Sequence, residues 1–345
     1  MSTHQAPGQT PKICVCGCGH WGKNLVRNFH ALGALAGVFD VDQQRATALV
    51  EGMGGVKVYT AYEDAIADAN LDAVVIATPA EQHAPMAIQA VNAGKDVFVE
   101  KPLALTAADG QRMVDAARAK GRLLMVGHLL LHHPAVKMLG QMALGGELGR
   151  LEYIYSNRLS MGKIRQEENA LWSFAPHDIS VILMLMGGAM PMQAAATGGA
   201  YLQPNIADVT LSTLLFDRGA RAHIFVSWLH PYKEQRLVVI GSKKMLVFED
   251  SKTTDKLLLF DKEIAWKDGA IQAAASKGSP VAFDASEPLR AECAHFLECV
   301  ASRREPLTPG EDGVRVLEVL EACQRSLQMN GEPVQVASAS RIVTL

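Results

Sequence analysis

The chain has 345 residues, 49% of them hydrophobic and 20% charged, with a formal net charge of −3. That length allows two domains with separate cores, and the near-neutral balance without a basic block argues against nucleic acid or a membrane surface as a partner. No apolar run approaches the roughly 20 residues that span a bilayer, and the polar start "MSTHQAPGQTPK" lacks the apolar stretch of a signal peptide. The expectation is therefore a cytoplasmic protein. Its six cysteines, grouped as Cys14, Cys16, Cys18 and Cys293, Cys299, Cys323, should then be reduced thiols.

The first third repeats one grammar. "ICVCG" is a short apolar run, and "WGKNLVRNFHAL" follows with Leu25, Val26, Phe29 and Leu32 at helical spacing. Next come "GALAGVFD" (strand), "QQRATALVEGM" (helix), "VKVYT" (strand), "AYEDAIAD" (helix) and "LDAVVIATP" (strand). "EQHAPMAIQAVNAG" reads as helix, "KDVFVEKP" as strand, "TAADGQRMVDAARAKG" as helix and "RLLMVGH" as strand. Apolar strands alternating with helices indicate a doubly wound parallel sheet with Rossmann topology, placed over residues 11–127.

Within that frame Gly17-Cys18-Gly19-His20-Trp21-Gly22 fits the dinucleotide-binding pattern G-x-G-x-x-G between a strand and a helix. Gly17 permits the tight turn, Gly19 lets a pyrophosphate approach the backbone, and Gly22 lets helix and strand pack closely. The pyrophosphate would meet the free N–H groups and dipole of the helix N-terminus, with His20 and Trp21 at the mouth of the loop. Asp40 ends the second strand 23 positions after Gly17, the spacing of an acid that accepts from the adenosine ribose hydroxyls. Its charge would repel a 2′-phosphate, which favours NAD over NADP, although Arg45 lies nearby. The cysteines invite a metal reading. Alternation of Cys14 and Cys16 with Ile13 and Val15 instead suits strand packing, and C-x-C-x-C is not a zinc spacing, so no metal is expected.

The pieces "GCGHWG", "VVIATPAEQHAPMAIQAVNAGKDVFVEKPLALT" and "GHLLLHHPAVKMLGQMALGGELGRLEYIYSNR" resemble the glucose–fructose oxidoreductase/inositol dehydrogenase (Gfo/Idh/MocA) family. The most specific marker is Glu100-Lys101-Pro102 at a strand end. The resemblance implies that Lys101 lies beside the nicotinamide and the reacting carbon of a sugar-like substrate. It also implies that Thr78, Pro79 and His83 line the nicotinamide-ribose side, with Glu100 at the same place.

From residue 128 to 345 the grammar changes to an α+β domain for substrate binding and oligomerisation. A helix, "PAVKMLGQMAL", precedes the alternating strand "LEYIYSNRLS". The runs "DVTLSTLLFD", "RAHIFVSWLH", "QRLVVIGSK", "KMLVFED" and "KLLLFD" read as a large, mostly antiparallel sheet. "AAATGGA" at 194–200 reads only as rich in small residues, "KGSPVAFDASEP" as a linker, and two helices follow near the end.

"NALWSFAPHDISVILMLMGG" places His177-Asp178 at the start of a helix after Pro176. The resemblance implies that His177 takes the hydroxyl proton, a task its neutral-range pKa suits. Many relatives carry an aspartate four residues earlier, where this chain has Ser173. The segment "SNRLSMGKIRQEENALWSFAPHDIS" is most similar to the branch that oxidises C3 of UDP-N-acetylglucosaminuronate for bacterial surface polysaccharides. Arg158, Lys163 and Arg165 would then offer charge to a diphosphate or carboxylate, with Asn169 and Asp178 completing the substrate set. The same resemblance implies a homodimer or homotetramer. Two other readings stay open: a dehydrogenase or reductase of another sugar, inositol or polyol, and a non-catalytic cofactor-bound sensor or partner-binding protein.

Overall fold

The computed structural model describes residues 10–274 and 276–336. The chain forms two compact units. One runs through His132 and resumes over Ser286–Leu317; the other covers His133–Ala285 and resumes at Glu318. In chain order the first unit holds β1 (Ile13–Cys16), α1 (Gly22–Ala31), β2 (Leu35–Phe39), α2 (Gln43–Leu49), β3 (Lys57–Tyr59) and α3 (Tyr62–Ala67). It continues with β4 (Ala73–Ile76), α4 (His83–Asn92), β5 (Asp96–Glu100), α5 (Ala107–Lys120) and β6 (Leu124–Gly127). Then follow α6 (Pro134–Leu144), β7 (Leu151–Met161), α7 (Ala170–Leu185), β8 (Gln193–Gly199), β9 (Val209–Leu215), β10 (Arg221–Ser227) and β11 (Leu229–Gly241). The remainder is β12 (Lys244–Glu249), β13 (Leu257–Asp261), β14 (Glu263–Lys267), β15 (Ala270–Ala274), β16 (Ser279–Pro280), α8 (Pro288–Ser302), α9 (Gly310–Gln328) and β17 (Val334–Gln335).

Among the described residues, the first unit's strands form a six-stranded parallel sheet in the order β3-β2-β1-β4-β5-β6. This is the Rossmann order, which reverses direction beside β1. Every residue of β1, β4, β5 and β6 is buried, as expected of strands covered on both faces. Ile13 and Val15 join a core with Leu25, Val26 and Phe29 of α1. Cys14 and Cys16 are buried in the same strand as free thiols. The same core takes Leu289, Cys293, Phe296, Leu297 and Val300 from α8, and the Phe296 ring lies 5.6 Å from that of Phe98 in β5. The end of the chain is therefore shared differently from the sequence expectation. Residues 286–317, read there with the second domain, return to complete the first core.

The second unit carries a nine-stranded mixed sheet in the order β16-β13-β12-β11-β7-β10-β9-β8-β17. Its pairs are antiparallel except β7 with β10, which run parallel. Side chains alternate along the central strands: Ile154, Ser156, Ala222, Ile224 and Val226 are buried, on the period-2 rule. β8 was not anticipated, because its alanines and glycines carry no β-propensity; Ala194 and Ala196 are nonetheless buried in the sheet. β14 and β15 form a separate hairpin around Asp268-Gly269, both with positive φ, the turn that a D-G pair favours. No helix among the described residues is long and apolar enough to cross a membrane.

Helix α7 starts seven residues before His177, rather than after Pro176 as the sequence suggested. Asn169 is its N-cap, and its side-chain oxygen accepts from the Trp172 N–H at 3.1 Å. Pro176 sits inside the helix, where it removes one N–H donor. The cap at Asn169 and the apolar run beyond the proline carry the helix through that position. Asn169→Ala should lower stability by about 1 kcal/mol in denaturant titration, and Asn169→Ser should recover most of it.

Candidate functional site

The glycine loop is set by steric limits. Gly17 has φ of +98°, and a β-carbon there would lie 2.6 Å from the Ala77 carbonyl oxygen. One on Gly22 would lie 1.8 Å from the Gly17 carbonyl oxygen. A β-carbon on Gly19 would meet nothing within 4 Å, so space lies open over the backbone where a pyrophosphate must approach. No side chain caps the N-terminus of α1, and its first turn carries no acid. An anion is what this end of the helix favours. The loop thus fits a dinucleotide: Gly17, Gly19 and Gly22 would hold the pyrophosphate.

Asp40, buried just past β2, receives the Cys18 N–H at 2.6 Å and the Asp42 N–H at 2.8 Å, while Arg45 reaches it at 3.5 Å. A carboxylate has about four acceptor positions, so capacity remains for a ribose hydroxyl. Burial and the Asp40 charge push the Cys18 thiol up to about 12, which keeps it protonated and unreactive. His20 and Trp21 are exposed on the loop.

Trp21 links the loop to the next element of the site. Its indole Nε1 donates to Glu100 Oε1 at 2.5 Å, across the strand ends of the sheet. Glu100 is buried, and its Oε2 accepts the Lys101 backbone N–H at 3.3 Å. Burial raises this carboxyl to about 7, against the lowering effects of Trp21 and the Lys101 charge. Lys101 itself is half-buried immediately beyond β5.

Thr78 and Pro79 follow β4, with Thr78 half-buried and Pro79 exposed. His83 is fully buried at the start of α4, and its ring nitrogens face the carbonyl oxygens of Pro102 at 2.8 Å and Thr78 at 3.0 Å. Burial pushes its pKa down, so the neutral ring donates to one of the two. It ties the segment after β4 to the Glu100-Lys101-Pro102 turn.

In the second unit His177 lies half-buried on α7, with buried Ser173 one turn before it. Ser180 Oγ donates to the His177 carbonyl oxygen at 2.8 Å. Arg158, expected to meet a substrate anion, is paired with Asp178 instead: Nε to Oδ2 is 2.9 Å and Nη2 to Oδ1 is 3.1 Å. Asp178 also accepts from Ser156 Oγ at 2.6 Å, and both members of the ion pair are largely buried. Each charge is thus compensated by the other. Asn169 is likewise occupied, capping α7 and donating to Gln324 at 2.9 Å. Arg165 pairs with Glu168 at 3.0 Å, and Lys163 is exposed.

Sequence reasoning missed two buried groups of the first unit, His128 and Glu292. His128 follows β6 just as Lys101 follows β5, and Glu100 and Gly127 are a register pair. Burial and the Lys101 charge push its imidazole down to about 3, so it is neutral. Glu292 is one acid in an amphipathic helix, and no sequence pattern marks it.

The first unit is a dinucleotide-binding Rossmann fold with a lysine at the end of its fifth strand. Residues 12–128 match the model of the oxidoreductase family with an NAD-binding Rossmann fold, Gfo/Idh/MocA, and residues 137–247 match the Gfo/Idh/MocA C-terminal domain. The chain belongs to that family. It is 26% identical over 307 residues to UDP-N-acetylglucosamine 3-dehydrogenase of Acidithiobacillus ferrooxidans, covering 88% of this chain and 93% of the relative. Inositol 2-dehydrogenase 1 of Saccharopolyspora erythraea is 28% identical, covering 96% and 98%. The solved structure of the WlbA dehydrogenase from Bordetella pertussis, in complex with NADH and UDP-GlcNAcA, superposes with TM-score 0.76 at 21% identity, covering 95% and 99%.

Because the Glu100 carboxyl ionises later in the folded protein than in the unfolded chain, it costs stability as pH rises from its ordinary value through about 7. Glu100→Gln removes that cost. In thermal melts without ligand, the variant's Tm should gain on the parent's between about pH 5 and pH 8. A pH-independent difference would contradict a buried, ionising carboxyl.

Proposed function

We propose that the protein oxidises the C3 hydroxyl of a nucleotide-linked sugar, with UDP-N-acetylglucosaminuronic acid as the best candidate, using NAD. The carrying observation is the Trp21–Glu100 hydrogen bond, which joins the dinucleotide loop to the turn that presents Lys101. NAD supplies the hydride acceptor. The glycine loop would hold the pyrophosphate, Asp40 the adenosine ribose, and the Thr78-Pro79 segment, braced by His83, the nicotinamide side.

At the reacting carbon, loss of hydride turns the C–O bond into a carbonyl while the hydroxyl proton must leave. An ammonium on Lys101 hydrogen-bonds the oxygen and stabilises its alkoxide character as that happens. His177 accepts the proton. With a serine at position 173, no carboxylate one turn earlier on α7 assists the histidine. Lys163 and Arg165 would meet the diphosphate or uronate charge, while the Arg158–Asp178 pair ties β7 to α7, the strand and helix that flank their segment.

The nucleotide-sugar reading draws on the 26% identical relative, named for oxidation at position 3 of a UDP-sugar. A cyclitol substrate is the second reading, favoured by the 28% identity to an inositol dehydrogenase across nearly the whole chain. On the oligomeric state, the face of the nine-stranded sheet that bears Tyr153, Tyr155, Leu211, His223 and Phe225 would be the contact between copies.

A panel of UDP-sugars, free sugars and inositols, followed by the absorbance of reduced cofactor, separates the two substrate readings. The nucleotide sugar should turn over and inositol should not; the reverse would overturn the proposal. Lys101→Ala should cut turnover by about 100-fold or more with NAD affinity nearly unchanged. Asp40→Ala should raise the NAD dissociation constant by about tenfold in calorimetry.

A further inference from the structure

Glu292, on α8, is fully buried in the first unit, and neither of its carboxyl oxygens has a hydrogen-bond partner among the described residues. A lone buried carboxylate is prohibitively costly, so the group must be a neutral acid. Phe296, one turn further along α8, packs on Phe98, which shares a face of β5 with Glu100. Glu292 is thus turned toward the Glu100 end of that strand, and burial and the Glu100 charge both raise its carboxyl. Glu100, by contrast, accepts on each oxygen, from Trp21 and from the Lys101 N–H, and keeps acceptor capacity for a further donor. Room for it comes from Gly127, where a β-carbon would lie 3.0 Å from Glu100 Oε2.

We propose that Glu292 is a positioning residue that holds the proton of a buried Glu100–Glu292 pair, and that its O–H sustains the Glu100 carboxylate on which Trp21 and the Lys101 backbone are anchored. An enclosed water would join the two carboxyls, since a water that bridges buried polar groups serves nearly as well as a direct bond. The pair carries at most one negative charge, because two such charges in a core would oppose each other. When Glu100 is ionised, the indole of the glycine loop has a charged acceptor; when Glu100 takes up a proton, that anchor weakens. Glu292 sets the pH at which the change occurs.

Several other ionisable groups lie around the pair. Beyond the strand ends, His128 is pushed down to about 3, leaving Lys101 as the cation there. On α8, burial holds the Cys293 thiol well above its ordinary range, and the ion pair of Arg27 on α1 with Glu287 lies next to it. His132 and His295 stack on each other with ring centroids 5.2 Å apart, where α8 packs on the segment after β6.

The inference deepens the proposed oxidation, but its test reads the protein without substrate. Trp21 fluorescence, taken as the difference between the protein and its Trp21→Phe variant, should titrate with a midpoint near 7, and Glu100→Gln should abolish that titration. Glu292→Leu deletes the donor and should move the midpoint up by about one unit, while Glu292→Gln, which keeps an N–H donor, should restore it. Should Glu292→Leu fail to fold, infrared spectra of Glu292→Gln decide the matter. At about pH 9, where Glu100 is ionised, they should lack a protonated-carboxyl carbonyl band that the parent shows. An unmoved midpoint in folded Glu292→Leu, or an unchanged infrared band in Glu292→Gln, would overturn the proposal. Full turnover by Lys101→Ala would defeat the oxidation reading and leave these results standing.

Discussion

The backbone at Gly17 approaches the end of β4 so closely that a single β-carbon would collide with Ala77, and α1 returns over Gly17 just as closely at Gly22. These two approaches fix the angle at which α1 leaves β1. Consequently the Gly17 N–H reaches the Phe39 carbonyl oxygen at 2.7 Å and the Cys18 N–H reaches Asp40, so one turn joins β1, β2 and β4. Loosen it, and the acid, the open space over Gly19 and the uncapped helix end lose their common geometry.

From that turn the site is extended by buried polar contacts. Trp21 carries the loop to Glu100 on β5, and His83 carries the segment after β4 to the turn after β5. Each contact is made at the carboxyl ends of the parallel strands, where open α/β sheets bind their ligands. A buried carboxylate is an expensive way to anchor an indole, and the cost is consistent with a functional demand rather than a packing one. In the second unit the Arg158–Asp178–Ser156 network plays a similar bracing part beneath His177, fastening α7 to β7.

Much of the first unit was legible in the sequence because its signals are local. Apolar strands alternate with amphipathic helices, the glycines are contiguous, and Asp40 falls at a fixed spacing. What escaped depends on distant partners. Arg158 looked like a cation for a substrate because nothing in its neighbourhood announces Asp178, which is twenty positions on and buried against it. Asn169 looked like a ligand residue until the cap of α7 was visible, and Pro176 misplaced that cap because proline more often opens a helix than sits within one. β8 hid behind its small side chains. Glu292 could not be seen at all, since its meaning comes from α8 returning to the first unit beside β5.

The cysteine cluster illustrates the same division. Three thiols within five residues suggest chemistry by composition, yet Cys14 and Cys16 are buried in β1 and Cys18 is held protonated by burial and by Asp40. The proposed chemistry rests instead on the glycines between and after them, and on the lysine that follows Glu100, the partner of Trp21. Its most direct test is the fate of the hydrogen at C3 when UDP-N-acetylglucosaminuronic acid labelled there with deuterium is incubated with the protein and NAD. Deuterium recovered on the reduced nicotinamide, with slowed turnover relative to the unlabelled sugar, is the predicted result; label retained at C3 while the cofactor is reduced would contradict it.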